Sequence, residues 1–403
     1  MTFFSRRSFL LGAAALGGAP EFLARAGQEP QPPQEVEPYL TPQERFRDVS
    51  RGNPIPHKLP PEKRSQVGLT RETWKLELLS DPEHKANLQN PLTKEKGNAL
   101  DWDGLMKLTA KNPVSFLKVM TCNNIGRPLG MGLWEGVPLR DLIWLTKPQE
   151  DVRRVFYYGY HNDDPKQMFR SSLSISRVLE DPPGHPPVIV CTRLNGTYLT
   201  PERGGPVRIV VPEAYGFKSV KWLTHVVLTN LPHANDTYAD GNNDLDSPMK
   251  TYARTVSIPK EAKANESIVV TGLAQVGLSG LAKVQVWAAP AGEPWPADDP
   301  YFANAPWKDA EVLPAPAAWG GEFPQGRLPA ATIGLDAATG RPRRWPMPLT
   351  KAHWVARLPG LPAGKYTFRC RTIDENGVGQ PLPRPFDKSG RAGIEEKPLL
   401  VRE

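Results

Sequence analysis

Leu194-Asn-Gly-Thr-Tyr-Leu-Thr-Pro-Glu-Arg203-Gly-Gly-Pro-Val-Arg208-Ile-Val-Val-Pro-Glu-Ala-Tyr-Gly-Phe-Lys218-Ser-Val-Lys221-Trp222 is the stretch on which the reading of this chain turns. Asn-Gly marks a tight turn. Gly204-Gly-Pro lets backbone come close to a ligand, and Arg208 leads an apolar strand that would hold it rigidly. Lys218, Lys221 and Trp222 follow a second glycine turn. Fixed arginine and lysine beside glycine backbone is how a protein holds phosphate or another oxyanion, because a guanidinium pairs bidentately with it. Basic loop residues are as often merely solvated, so this stretch alone leaves both readings open.

Upstream lies Val114-Ser-Phe-Leu-Lys-Val-Met-Thr-Cys122-Asn-Asn-Ile-Gly-Arg127. An apolar run that reads as a buried strand stops at Cys122, which puts a thiol at the mouth of a sheet beside free loop amides. The chain has 3 cysteines, an odd count that gives no disulfide framework. Cys191 and Cys370 sit inside strand-like runs and read as buried, inert thiols. Cys122, at a strand end, reads as a metal ligand. Around it, strands and short helices alternate. A strand starts at Thr73, and a helix runs from Leu100 with Asp101 or Asp103 near its start. Another strand leads to His161, and a loop from Phe169 runs into a helix. Neither Gly-x-Gly-x-x-Gly nor a Walker loop occurs, so dinucleotide and P-loop readings are poor.

With 403 residues the chain is too long for one ordinary core, and its 45 prolines argue for loops and edge strands over long helices. The net charge of +7 is spread without a basic run, which argues against nucleic acid and suits a small anionic substrate. Ser5-Arg6-Arg7-Ser8-Phe9-Leu10, a short apolar run to Leu16 and Ala24-Arg25-Ala26 read as a Tat signal over residues 1–26, and so as export to the periplasm. That run is too short to span a bilayer, and no membrane span is expected elsewhere. Residues 27–66 read as a Pro-rich extended leader that buries little. Within it, Arg51-Gly-Asn53-Pro-Ile-Pro-His57 is either a polar group reaching a cofactor or plain linker. From Pro259 onward, short alternating strands with Gly and Pro turns indicate a β-sandwich. Its insertion, about 291–348, is either a loop against the other domain or a partner surface.

Gly-Pro-Val-Arg208-Ile-Val-Val-Pro followed by Lys218-Ser-Val-Lys221-Trp222-Leu closely resembles the pterin-binding signature of the sulfite oxidase family of molybdenum enzymes. The Leu-Asn-Gly turn, the cysteine at a strand end, Trp134-x-Gly136-Val-Pro-Leu139 and the twin-arginine signal occur in that family's order. The resemblance runs from about Arg51 to Val256. It implies an α+β protein with a mixed α/β molybdopterin-binding domain over 67–257. An immunoglobulin-like, dimerisation-type β-sandwich would follow over 258–403.

By residue, the resemblance implies that Cys122 is the thiolate on a molybdenum–molybdopterin cofactor. Arg208, Lys218 and Lys221 would contact the pterin or its phosphate, with Arg203 where the family often has histidine. Arg51, Asn53 and His57 would cover the cofactor. Tyr238 is the implied active-site tyrosine, and Arg127 and Arg170 the implied anion-binding arginines. The expected chemistry is oxygen-atom transfer that oxidises sulfite or a related sulfur anion. No Cys-x-x-Cys-His occurs, so no haem is expected in this chain and electrons would pass to an external acceptor such as cytochrome c. A homodimer is implied by analogy alone. Two rivals stand beside this: a reductase of sulfoxide-type substrates, and an exported, non-catalytic β-rich binding protein. Cys122-Asn-Asn-Ile-Gly-Arg127 stands where many relatives have Cys-Ala-Gly-Asn-Arg-Arg, which places substrate choice at Asn123 to Arg127.

Overall fold

A computed structural model describes residues 37–246, 248–380, 388, 390 and 392–403. The expected Tat signal over residues 1–26 lies outside the described residues. Past a short helix, α1 (Pro61–Gln66), alternating apolar and polar side chains make β1 (Lys75–Ser80), with Leu76 and Leu78 fully buried. After β2 (Leu100–Asp101), Asp101 caps α2 (Trp102–Lys111) by accepting from the Gly104 N–H at 2.9 Å. β3 (Val114–Met120) and β4 (Gly130–Pro138) pair antiparallel, and the Cys122 loop joins them. α3 (Leu139–Leu145), β5 (Arg154–Gly159), β6 (Arg170–Ser174) and α4 (Ile175–Leu179) follow. β7 (Ile189–Leu194), β8 (Thr197–Tyr198), β9 (Arg208–Val210) and β10 (Leu223–Thr229) complete the first domain.

Two sheets result, in the orders β2-β1-β10-β5-β6 and β3-β4-β7-β8, with β9 paired to β7. β1 and β10 run parallel, Glu77 opposite His225, and the other ladders of these sheets are antiparallel. Trp74, Leu105, Val137, Tyr157 and Val226 belong to one core cluster between the two sheets. The expected loop from Phe169 is instead the strand β6. Its residues Arg-Ser-Ser-Leu-Ser carry little apolar alternation, and it forms because β5 supplies a partner edge, Ser171 opposite Tyr157.

The C-terminal domain is built from β11 (Tyr252–Ser257), β12 (Glu261–Lys263), β13 (Ile268–Gln275), β14 (Lys283–Pro290), β15 (Lys308–Val312), β16 (Lys351–Leu358), β17 (Gly364–Ile373) and β18 (Glu395–Arg402). They form one path, β11-β13-β16-β15-β14-β17-β18-β12, around a core holding Val270, Trp354, Phe368 and Cys370. β11 pairs with β13, so this sheet starts at Tyr252, a few residues before the expected boundary at 258. Among the described residues the protein is mostly β, and the longest helix there, α2, has 10 residues. No helix among the described residues is long and apolar enough to cross a membrane.

Two irregular segments tie the domains together. The insertion packs Trp319, Leu328, Leu335 and Met347 onto Leu117, Val119, Met131 and Leu133 of β3 and β4, and the Ile333 N–H donates to Ser115 O at 2.9 Å. Apart from β15, which joins the C-terminal sheet, it is thus a loop against the other domain. The leader, expected to bury little, buries Tyr39, Leu40 and Phe46. Its few apolar side chains each drop into a gap: Tyr39 meets Trp319, Trp345 and His353 edge-on or tilted, and Phe46 meets Trp134.

Candidate active site

Cys122 stands two residues beyond β3, half-buried in the wall of a cavity of about 290 Å³. Its thiol donates to Asn124 Oδ1 at 2.8 Å. The loop that carries it is pinned by backbone bonds, Leu129 N–H to Met120 O and Gly216 N–H to Thr121 O, both 2.7 Å. Cys191 and Cys370 are wholly buried, and burial pushes each thiol up to about 12. They take no part in the cavity.

The opposite wall is basic. Arg208 is buried at the start of β9, and its guanidinium donates only to carbonyl oxygens, those of Arg203 (2.8 Å), Ser219 (2.6 Å) and Ile209 (3.4 Å). Burial brings its pKa down to about 10. Arg203, also buried and lining the cavity, keeps an Nε that has no partner. Burial lowers its pKa too, with Asp48 and Glu202 opposing. Lys221 lines the cavity, but its ammonium is saturated by Asp48 Oδ1 (3.0 Å), Ser50 Oγ (2.6 Å) and Glu202 O (2.6 Å). It therefore ties the leader over the cavity. Burial chiefly, then Arg208, pulls its pKa down to about 7.

A third side holds Tyr238, whose ring lies under Arg51 (Cζ 5.5 Å from the ring centroid) and Lys388 (Nζ 3.8 Å). Arg51 also lies 5.2 Å over Phe169, and Phe217 packs against Tyr238. Burial raises the Tyr238 pKa, Arg51 opposes, and the nearby Cys122 adds to the rise. Lys388 is in the β17–β18 connection, a stretch without periodicity or motif, which is why sequence reasoning missed it. His161, also in the cavity wall, carried no signal beyond its place at a strand end.

Other expected residues sit elsewhere. Lys218 is buried away from the cavity, donating to Asp236 Oδ2 (2.6 Å) and Ser172 O (2.8 Å). Arg170 does not line it either. Its Nε donates to Asn235 O at 2.9 Å and its N–H to Thr237 Oγ1 at 2.8 Å, holding the loop that carries Tyr238. Arg127 is exposed on the Cys122 loop and outside the lining. Asn53 is exposed, and its backbone bonds with Gln167. His57 lies just behind the wall with Nε2 3.7 Å from Asp48 Oδ2 and an unpaired, buried Nδ1.

Residues 83–237 match the family described as oxidoreductase molybdopterin binding domain. This chain carries an oxidoreductase molybdopterin binding domain. Over 107 residues (27% of the chain) it is 32% identical to a nitrate reductase [NADPH] of Beauveria bassiana, and over 120 residues (28%) it is 31% identical to a nitrate reductase [NADH] of Volvox carteri. The matched part is 12% and 14% of those proteins' own lengths. By fold, the chain is similar to the sulfane dehydrogenase SoxCD of Paracoccus pantotrophus. The TM-score is 0.57 and the identity 15%, over 85% of this chain and 82% of that one.

The cavity's donor set fits a molybdopterin. Among the described residues no three His, Cys, Asp or Glu side chains gather to hold a bare ion, so a metal at Cys122 needs its remaining ligands from a cofactor. Arg203 Nε is a buried donor awaiting an acceptor, and Arg208 is a buried cation without a carboxylate partner. A phosphate answers both. Cys122 would hold the metal of the molybdopterin domain, and Arg203 and Arg208 its phosphate.

Proposed function

We propose that this chain is an exported, periplasmic molybdenum oxidoreductase. It would oxidise sulfite or a related small sulfur anion by oxygen-atom transfer and pass the electrons to an external acceptor such as cytochrome c. The observation that carries this reading is the meeting of Cys122, Tyr238, Arg51 and Arg203 in one cavity. When bound, the molybdenum pterin supplies two-electron redox and oxygen-atom-transfer chemistry. The protein's part is to bind and orient. Arg51 and Lys388 attract an anion to the ring of Tyr238. Tyr238, its pKa raised by burial, keeps its phenolic proton and donates it as a hydrogen bond to the bound anion. Phe169 and Phe217 flank that ring and exclude water from the anion's inner side. The fold neighbour, a sulfane dehydrogenase, favours a sulfur substrate. A homodimer through the C-terminal domain belongs to the same proposal.

A reductive reading is favoured by the nitrate reductases among the relatives, since the same basic mouth suits an oxyanion to be reduced. Purified, molybdenum-loaded protein given sulfite and ferricyanide or cytochrome c decides between them. Sulfite-dependent reduction of the acceptor supports the oxidase. Its absence, together with oxidation of a reduced dye by a sulfoxide or nitrate, supports the reductase.

A further inference from the structure

The last residue of β13, Gln275, crosses into the first domain's site from behind. It is fully buried, accepts the Thr121 hydroxyl on Oε1 at 2.5 Å and donates from Nε2 to Lys250 O at 2.8 Å. Thr121 is the residue before Cys122. On the other side, the Asn123 carbonyl accepts from the Gly390 N–H at 2.8 Å. Gly390 has φ +79°, and a Cβ there would fall onto the Tyr215 hydroxyl, so only glycine lets this segment come so close. Both neighbours of Cys122 are thus held by the C-terminal domain. The first domain grips the same loop by backbone bonds from Gly216 and Leu129.

We propose that Gln275 and Gly390 are positioning residues for Cys122: the C-terminal domain brackets the cysteine and sets the direction in which its thiol enters the cavity. This rests on the reading of Cys122 as the metal ligand. Cys122 lies on an irregular loop, where the torsions of the flanking peptides decide the aim of the side chain. The Thr121 hydroxyl bond fixes one side, and the Gly390 amide fixes the other. Partners that orient a metal ligand matter nearly as much as the ligand, because the metal tolerates little angular error. A sandwich that merely adhered to the first domain would have no need of a buried side-chain hydrogen bond one residue from the thiol.

The test uses the full chain with Thr121→Val, which removes the hydroxyl at nearly constant shape, Gln275→Leu, the double variant, and Thr121→Ser, which keeps the hydroxyl. In cofactor-free protein, iodoacetamide reports Cys122, because Cys191 and Cys370 are wholly buried. In loaded protein, the Mo(V) electron paramagnetic resonance spectrum and the molybdenum content report the thiolate. We expect Thr121→Val and Gln275→Leu to alter the alkylation rate and the spectrum alike. Both should lower molybdenum retention by about 10-fold. The double variant should be no worse than either, and Thr121→Ser should match the parent. Parental alkylation rate and spectrum in Thr121→Val and Gln275→Leu overturn the proposal, even if their melting temperatures fall. Cys122→Ser separates the two failures. An unchanged spectrum there overturns the ligand reading and this proposal with it. A changed one, beside parental Thr121→Val and Gln275→Leu, overturns the positioning alone.

Discussion

Lys218 Nζ lies 2.6 Å from Asp236 Oδ2, and both side chains are almost wholly buried. Ser171 Oγ also donates to that carboxylate, at 3.3 Å, and Tyr238 follows Asp236 by two residues on the same loop. The lysine of the pterin-like signature is thus occupied in holding the loop of the candidate active-site tyrosine. Removing it leaves a buried carboxylate without its cation. We expect Lys218→Met to destabilise the protein by about 3–5 kcal/mol, the scale for breaking a buried pair on one side. Chemical denaturation measures it, and a variant of parental stability contradicts the assignment.

Arg203 makes the opposite case. Its Nε is buried and unpaired, so the free protein gains nothing from that donor. We expect Arg203→Met to keep the melting temperature of cofactor-free protein and to retain cofactor roughly 10- to 100-fold less well, the range for a hydrogen bond to a charged group. Pterin fluorescence after dialysis reads the loss. Full retention contradicts a phosphate at this position.

Arg51 and Lys388 both flank the Tyr238 ring. We expect Lys388→Ala and Arg51→Ala each to raise KM for the anionic substrate roughly tenfold, with the change in kcat smaller, as for loss of one charge-assisted contact. Lys388→Arg should restore most of it. Steady-state kinetics at constant ionic strength checks this, and an unchanged KM in both variants contradicts an anion bound there.

Acid should loosen the joint between the leader and the C-terminal domain. His353 is buried against Tyr39, and burial, reinforced by Lys351 and opposed by Glu37, holds its pKa down to about 4. The unfolded chain binds this proton first, near the ordinary histidine value of about 6.5. The contribution is therefore complete above that value and is lost as pH falls through about 4, amounting to roughly 3 kcal/mol. Melting temperatures from pH 8 to pH 4 should fall less steeply in His353→Leu than in the parent. Parallel curves contradict it.

How far the sequence speaks depends on what carries each element. Cys122 at a strand end, Arg208 leading a strand and the capped helix at Asp101 were legible because local pattern makes them. Lys218, Lys221 and Arg170 were legible as functional residues, yet the structure has them holding loops. A motif shows that a cation is required at a position and not which partner it meets. Lys388, Gln275 and the buried leader residues Tyr39, Leu40 and Phe46 were hidden for a common reason. Each acts through long-range contacts that local pattern does not encode: Lys388 against Tyr238, Gln275 against Thr121, Tyr39 and Leu40 in the core with Trp319, and Phe46 in the cavity wall. The strand β6 escaped because its serines are buried by a neighbouring strand and not by their own hydrophobicity.

The central claim is that the Cys122 cavity holds a molybdenum pterin. Elemental analysis with pterin quantification, on full-length protein and Cys122→Ser purified from cofactor-replete cells, tests it most directly. Stoichiometric molybdenum and pterin in the parent, with molybdenum reduced in Cys122→Ser, is the expected result. A parent with little molybdenum, or a Cys122→Ser variant that keeps full metal and activity, would contradict it.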